Sequence, residues 1–126
     1  MKLRTPISLA RGLGSAKEGV NHWWMQRMTA VALAPLALWF VASLLYVVHA
    51  DYDAMVAWVG RPVNTVLLAL FLFTAFYHAM LGLQVVIEDY VHGEGAKIVS
   101  LLVMKFLLVL LGALSILAVL RIAFGG

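Results

Sequence analysis

Three apolar runs dominate the chain, at residues 29–48, 63–87 and 98–124. Each is long enough to cross about 30 Å of hydrocarbon as a helix, which takes about 20 mostly apolar residues. The polar positions fall between the runs. Gly60-Arg61-Pro62 and Gly93-Glu94-Gly95 are chain breakers that mark two short loops. Pro35 lies inside the first run, where it frees a backbone carbonyl that neighbouring helices can satisfy in a bilayer. There is no internal repeat, no low-complexity tract and no room for a second domain. The pattern predicts an all-α integral membrane protein, a single membrane-anchor domain over residues 1–126 with three transmembrane helices. Residues 1–28 form a tail and interfacial segment ahead of them.

Composition agrees with this reading and removes the alternatives. Of 126 residues, 64% are hydrophobic and 12% charged, whereas water-soluble domains carry about 45–50% apolar and about 25% charged residues. Nine basic and six acidic side chains cannot cover a water-soluble globule of this size. An ordinary soluble enzyme, a disordered tail and a secreted disulfide scaffold are therefore excluded. The chain has no cysteine, so it holds neither a disulfide nor a thiolate-ligated iron–sulfur cluster. The net charge of +3 is scattered among apolar blocks rather than gathered into a patch, and no nucleic-acid partner is expected.

Basic residues near the span ends set the expected orientation. Lys2, Arg4, Arg11, Lys17 and Arg27 precede or open the first span, and Lys97 lies in the second loop. The other side holds Arg61 and Arg121, with Asp51 and Asp53 in the first loop. The N-terminus and second loop are expected in the cytoplasm, and the first loop and C-terminus on the opposite side. Lys105, roughly 12 Å into the third helix, can snorkel to the cytoplasmic surface. Residues 1–17 are basic, lack acids and carry hydroxyls at Thr5, Ser8 and Ser15. An organellar presequence shares those traits, but a cytoplasmic tail rich in positive charge is the ordinary reading. The 12–19 stretch reads as a linker into an interfacial anchor at Val20-Asn21-His22-Trp23-Trp24, with the tryptophans as membrane-belt residues.

The remaining polar groups carry the candidate chemistry, because ionisable side chains inside a span are costly. His49 and His92 fall at a span end and in a loop, where solvation accounts for them. His22 lies ahead of the first span, within reach of a headgroup, a partner or a cofactor carboxylate. His78 differs. It sits about 14 Å inside the second span from Ile87. Two readings stand at that depth: a neutral imidazole bonded to a neighbouring helix, or an axial ligand of haem iron. Thr74, Ala75, Ala79 and Gly82 make the helix wall beside His78 low enough for a flat macrocycle, although small residues equally serve close helix packing. No other histidine lies at that depth, so a six-coordinate haem with two histidines needs a second polypeptide.

Beyond His78 the second span ends in Gln84 and Glu88-Asp89-Tyr90. Asp89 falls about 20° from His78 on the helical wheel, and Tyr90 lies about 18 Å along the axis. A phenol at that boundary can donate to a carbonyl, and adjacent carboxylates can carry protons from water. The plainer reading is a belt tyrosine beside a solvated acidic turn. Arg27 has the same duality: it suits a lipid phosphate or a bidentate partner such as a haem propionate.

The arrangement of His22, Arg27 and Thr29-Ala30, then His78 followed after ten residues by Asp89-Tyr90 and a third span, resembles the smaller hydrophobic membrane anchor subunit of succinate dehydrogenase, respiratory complex II. The resemblance runs from about Gly14 to the end of the third helix. Tyr77-His78-Ala79-Met80-Leu81-Gly82 and the His78 to Asp89-Tyr90 spacing are its most specific parts. The run from His22 to Ala30 looks like alphaproteobacterial members.

The resemblance implies a set of roles. His78 matches an axial ligand of haem b, whose other ligand is a histidine of a companion cytochrome b subunit. Tyr90 matches the tyrosine that hydrogen-bonds a ubiquinone carbonyl, and Asp89 the acid beside it. Arg27 matches the arginine near the haem propionates, with His22 in the same polar cluster. Iron–sulfur and flavoprotein subunits would deliver electrons from succinate, and the complex would sit in a bacterial inner membrane, with the mitochondrial inner membrane as the other location. A chain without a nucleotide-binding glycine loop or thiolates fits a non-catalytic place in such a complex, with position and electrostatics as its contribution. The rivals are the anchor of a quinol-linked fumarate reductase, a purely structural haem-free membrane subunit and, less in keeping with three unbroken spans, a transporter.

Overall fold

The computed structural model describes residues 15–125, with side chains from Val20 onward. The tail basic residues Lys2, Arg4 and Arg11, the hydroxyls of Thr5 and Ser8, and the side chains of Ser15 and Lys17 lie outside the described residues. Four helices follow in order: α1 Ser15–Val47, α2 Tyr52–Gly60, α3 Pro62–Tyr90 and α4 Glu94–Ala123. Among the described residues there is no strand. Three helices are long and apolar enough to span a membrane: Val20–Val47, Pro62–Tyr90 and Glu94–Ala123, of 28, 29 and 30 residues. At 1.5 Å per residue these run about 42–45 Å, so their ends reach beyond the hydrocarbon into both interfaces.

The helices are longer than the apolar runs, and the difference corrects two expectations. The 12–19 stretch is not simply a linker, because α1 is already formed at Ser15. Ala16, Lys17 and Glu18 are strong helix formers, and they outweigh Gly19 in joining the tail to the apolar run. His22 therefore stands on a helix rather than ahead of one. The first loop also contains a helix. Asp51 caps α2 by accepting a hydrogen bond from the Ala54 amide at 2.8 Å. Pro62 then starts α3 at a position where its missing N–H costs nothing.

The α2–α3 corner is closed by side chains. Asn64 Nδ2 donates to the Trp58 carbonyl at 2.8 Å, and Thr65 Oγ1 lies 2.7 Å from the Val59 carbonyl and 3.0 Å from that of Arg61. The Trp58 and Arg61 carbonyls also accept the backbone amides of Arg61 and Thr65, so the side chains add to bonds the corner already has and bring in the Val59 carbonyl near the end of α2. Trp58 also stacks on Trp39 of α1, with centroids 5.8 Å apart.

α3 is the central helix, packed against α1 on one side and α4 on the other. Phe40 of α1 stacks on Phe71 of α3 at 4.6 Å. On the other side Gly112 of α4 lets the helices close, since a Cβ there would lie 3.3 Å from Phe76 Cγ. The interior is thin: Val47, Leu68, Leu81 and Met104 are its buried apolar side chains among the described residues. Leu38, Leu45 and Phe106 are each at least 70% exposed. An outward apolar surface of that kind suits lipid or other membrane subunits, not water.

Candidate functional site

His78 is held by α1. Its Nδ1 lies 2.8 Å from Thr29 Oγ1, a contact across 49 positions of sequence. Thr29 is one of two buried polar residues among those described, at 8% exposure. Its hydroxyl also faces the carbonyl oxygens of Met25 at 2.8 Å and Gln26 at 3.0 Å, both on its own helix. One turn along, Gln26 Nε2 would lie 3.8 Å from a Cβ placed on Gly82. That is ordinary van der Waals distance, so the Gln26 side chain lies against α3 at Gly82, one turn from the Thr29–His78 contact.

His22, Gln26 and Thr29 lie four and three positions apart, on one helical face. The antiparallel register set by Thr29 with His78 and Gln26 beside Gly82 carries His22 toward the Asp89 end of α3. His22 Nε2 and Gln26 Oε1 are buried without a hydrogen-bond partner. Buried polar atoms of this kind are normally satisfied, so the stripe is incomplete among the described residues. Among the described residues His78 makes no hydrogen bond through Nε2, and that atom is not among the buried unpaired ones. The second ring nitrogen is therefore open at the surface of the chain.

Arg27, Asp89 and Tyr90 lie toward the same end of the bundle as His22. α3 continues to Tyr90, so the phenol does lie about 18 Å along an unbroken helix from His78. Tyr90 is 75% exposed, and the neighbouring Asp89 is exposed as well. Gln84 Nε2 donates to Glu88 Oε1 at 3.1 Å, which ties Glu88 down one turn earlier. Arg27 is exposed and places its guanidinium 4.9 Å from the centroid of the Trp23 ring, a cation–π contact. It stands about 140° around the helix from His22, so within this chain the two do not form one cluster. His49 and His92 are exposed, in keeping with solvation. An apolar crevice of about 260 Å³ between α3 and α4, lined by Phe76, Tyr77, Met80 and Gly112 among others, includes none of these polar groups.

A bundle of three spans with a histidine anchored at mid-depth and a polar stripe ending at one surface narrows the family considerably. Residues 1–112 match the succinate dehydrogenase/fumarate reductase transmembrane subunit family. The chain belongs to this family. A succinate dehydrogenase hydrophobic membrane anchor subunit of Rickettsia bellii is 42% identical over 88 residues, 70% of each chain. The corresponding subunit of Paracoccus denitrificans is 34% identical over 97 residues, covering 77% of this chain and 75% of that one. A succinate dehydrogenase membrane anchor subunit of Reclinomonas americana is 33% identical over 92 residues, 71% of this chain and 77% of that one. No solved structure matches.

Within the succinate dehydrogenase/fumarate reductase family this chain is a multi-pass, non-catalytic membrane anchor subunit of succinate dehydrogenase. Its sequence exposes His78, Asp89 and Tyr90 as polar groups at the wrong depth or at a boundary. Thr29 and Gln26 carry no comparable signal, because an uncharged side chain in a span commonly bonds its own helix. The i, i+4, i+7 spacing of His22, Gln26 and Thr29 is the pattern that points to them.

Proposed function

We propose that this anchor subunit binds haem b jointly with a companion membrane subunit and helps form the site where ubiquinone is reduced with electrons from succinate. The observation that carries the reading is the state of His78. One ring nitrogen is tied to Thr29, and the other is left open at mid-membrane depth. A metal-ligating histidine normally engages its second nitrogen in this way. The residues fit the group in a further respect: Nε2 of His22 is buried and unpaired on the neighbouring helix. A b-type haem supplies a one-electron carrier inside the membrane. His78 would hold it from this chain, and the second axial histidine would come from the companion subunit. Arg27, exposed beside Trp23, is free to meet a propionate from outside this chain's own bundle.

Quinone reduction consumes two electrons and two protons. An apolar substrate must therefore meet an aqueous proton source, and the end of α3 is such a boundary. Tyr90 donates its O–H to a quinone carbonyl there, holding the ring in place. Asp89, exposed beside it, exchanges protons with water and passes them toward the reduced oxygen. Electrons arrive from an iron–sulfur partner, which is fed by a flavoprotein that oxidises succinate. The site of action is a bacterial inner membrane.

Replacing His78 with alanine tests the reading in membranes that contain the whole complex. The reduced-minus-oxidised haem b spectrum is expected to be lost or strongly altered while the subunit remains in the complex. An unchanged spectrum in the assembled variant rejects the ligand assignment.

A further inference from the structure

A hydroxyl has a single proton, and the three groups around Thr29 Oγ1 do not compete for it equally. Two are carbonyl oxygens, of Met25 at 2.8 Å and Gln26 at 3.0 Å, which can only accept. The third is His78 Nδ1 at 2.8 Å, which donates in one tautomer and accepts in the other. With the threonine proton directed at its own helix, Oγ1 has only lone pairs to offer, and Nδ1 must carry the hydrogen. The opposite arrangement would withdraw the hydroxyl from both carbonyls. It would also put an N–H on Nε2, a donor with no partner among the described residues at mid-membrane depth, where unpaired donors are costly.

We infer that Thr29 is a positioning residue: it holds His78 as the Nδ1–H tautomer and fixes the ring so that the Nε2 lone pair points out of the chain toward iron. The inference rests on the haem reading given above and adds a specific atom pair to it. Thr29 is suited to the task. It is buried at 8% exposure, its branched side chain has restricted χ1 freedom, and its hydroxyl already reaches the His78 ring across the α1–α3 contact at 2.8 Å. An Nδ1–H donated to an oxygen makes the imidazole a stronger donor at Nε2. A stronger donor favours ferric over ferrous iron.

The test compares Thr29→Val and Thr29→Ser in the assembled complex, with subunit stoichiometry, haem midpoint potential, low-spin electron paramagnetic resonance and haem retention under detergent as readouts. Thr29→Val keeps the shape and removes the acceptor. It is expected to raise the midpoint potential, shift the low-spin signal and weaken haem retention by roughly 10–100-fold. Thr29→Ser keeps the oxygen and is expected to match the parent in all three. A Thr29→Val complex with parental potential, signal and retention overturns the inference. If valine prevents assembly, the serine variant decides. Parental values support the hydroxyl's role, and an assembled serine complex with a displaced potential overturns it. His78→Ala in the same background separates the two levels. A haem spectrum that survives His78→Ala rejects the ligand reading itself. Its loss there, with no effect of Thr29→Val, rejects only the role of Thr29.

Discussion

Polar side chains within the spans fall into those satisfied by their own helix and those that leave something over. Ser115 Oγ donates to the Leu111 carbonyl at 2.7 Å, one turn back, and needs nothing else. Thr65 spends its hydroxyl on the α2–α3 corner. His78 uses one nitrogen and leaves one, and His22 and Gln26 each leave a buried atom unpaired. Function is to be sought where satisfaction is incomplete, since an unmet buried polar group costs about 1–3 kcal/mol. Tyr90 extends the argument to the boundary: its phenol has no hydrogen bond among the described residues and is 75% exposed, so nothing in the fold requires it. Tyr90→Phe is expected to leave assembly and succinate oxidation by an artificial soluble acceptor unchanged. It should slow ubiquinone reduction by about 10-fold or more, the scale of a lost hydrogen bond to a reacting group. Equal loss of both activities would mark an assembly defect instead. His78, Asp89 and Tyr90 were legible in the sequence because each interrupts or ends an apolar run. The Thr29–His78 pair was not. Its partners are 49 positions apart, and what brings them together is the packing of α1 on α3, which no local pattern encodes.

The α3–α4 contact depends on a small residue as well as on apolar matching. A stretch that is hydrophobic all round gives no stripe from which to read a packing face, so the three spans were legible as spans while their contacts were not. Gly112 supplies one such contact, where α4 meets Phe76 of α3. In a bilayer lipid is as apolar as leucine, so close approach and interhelical hydrogen bonds replace the hydrophobic drive. Gly112→Leu should therefore push α4 off Phe76, whose ring already lies 3.3 Å from where a Cβ would stand. The expected cost is about 1–3 kcal/mol, read as a lower temperature of subunit dissociation in detergent. Gly95→Leu, with nothing within 4 Å of its Cβ position, serves as the control and should dissociate like the parent. The helical start of α1 and the whole of α2 escaped the sequence reading for a related reason. Glycines and Asp51 read as punctuation, yet Ala16-Lys17-Glu18 and the Asp51 cap make helix out of both segments.

At the scale of the whole molecule, the thin interior and the exposed Leu38, Leu45 and Phe106 suit a subunit set in lipid or against other membrane subunits. Its direction in the membrane decides whether the chemistry is possible. Under the proposed function, electrons and protons reach Tyr90 from the side on which the catalytic partners dock, which requires the end of α3 to face the cytoplasm. Basic residues argue for this: Lys97 and Arg27, with Lys2, Arg4, Arg11 and Lys17 ahead of them in the sequence, belong to that end, against Arg61 and Arg121 at the other. The absence of cysteine makes the orientation directly measurable, since any introduced thiol is the only one in this chain and its label is read on this subunit after separation. Asp53 and His92 are both exposed and lie in opposite connections. In intact spheroplasts carrying the complex, a membrane-impermeant maleimide is expected to label Asp53→Cys at once. His92→Cys should be labelled only after the membrane is opened and the subunits are separated with denaturing detergent. The reverse pattern would put Tyr90 and Asp89 on the side away from the electron supply. The quinone site would then have to be built elsewhere, while the pairing of His78 with Thr29 at mid-depth would stand unchanged.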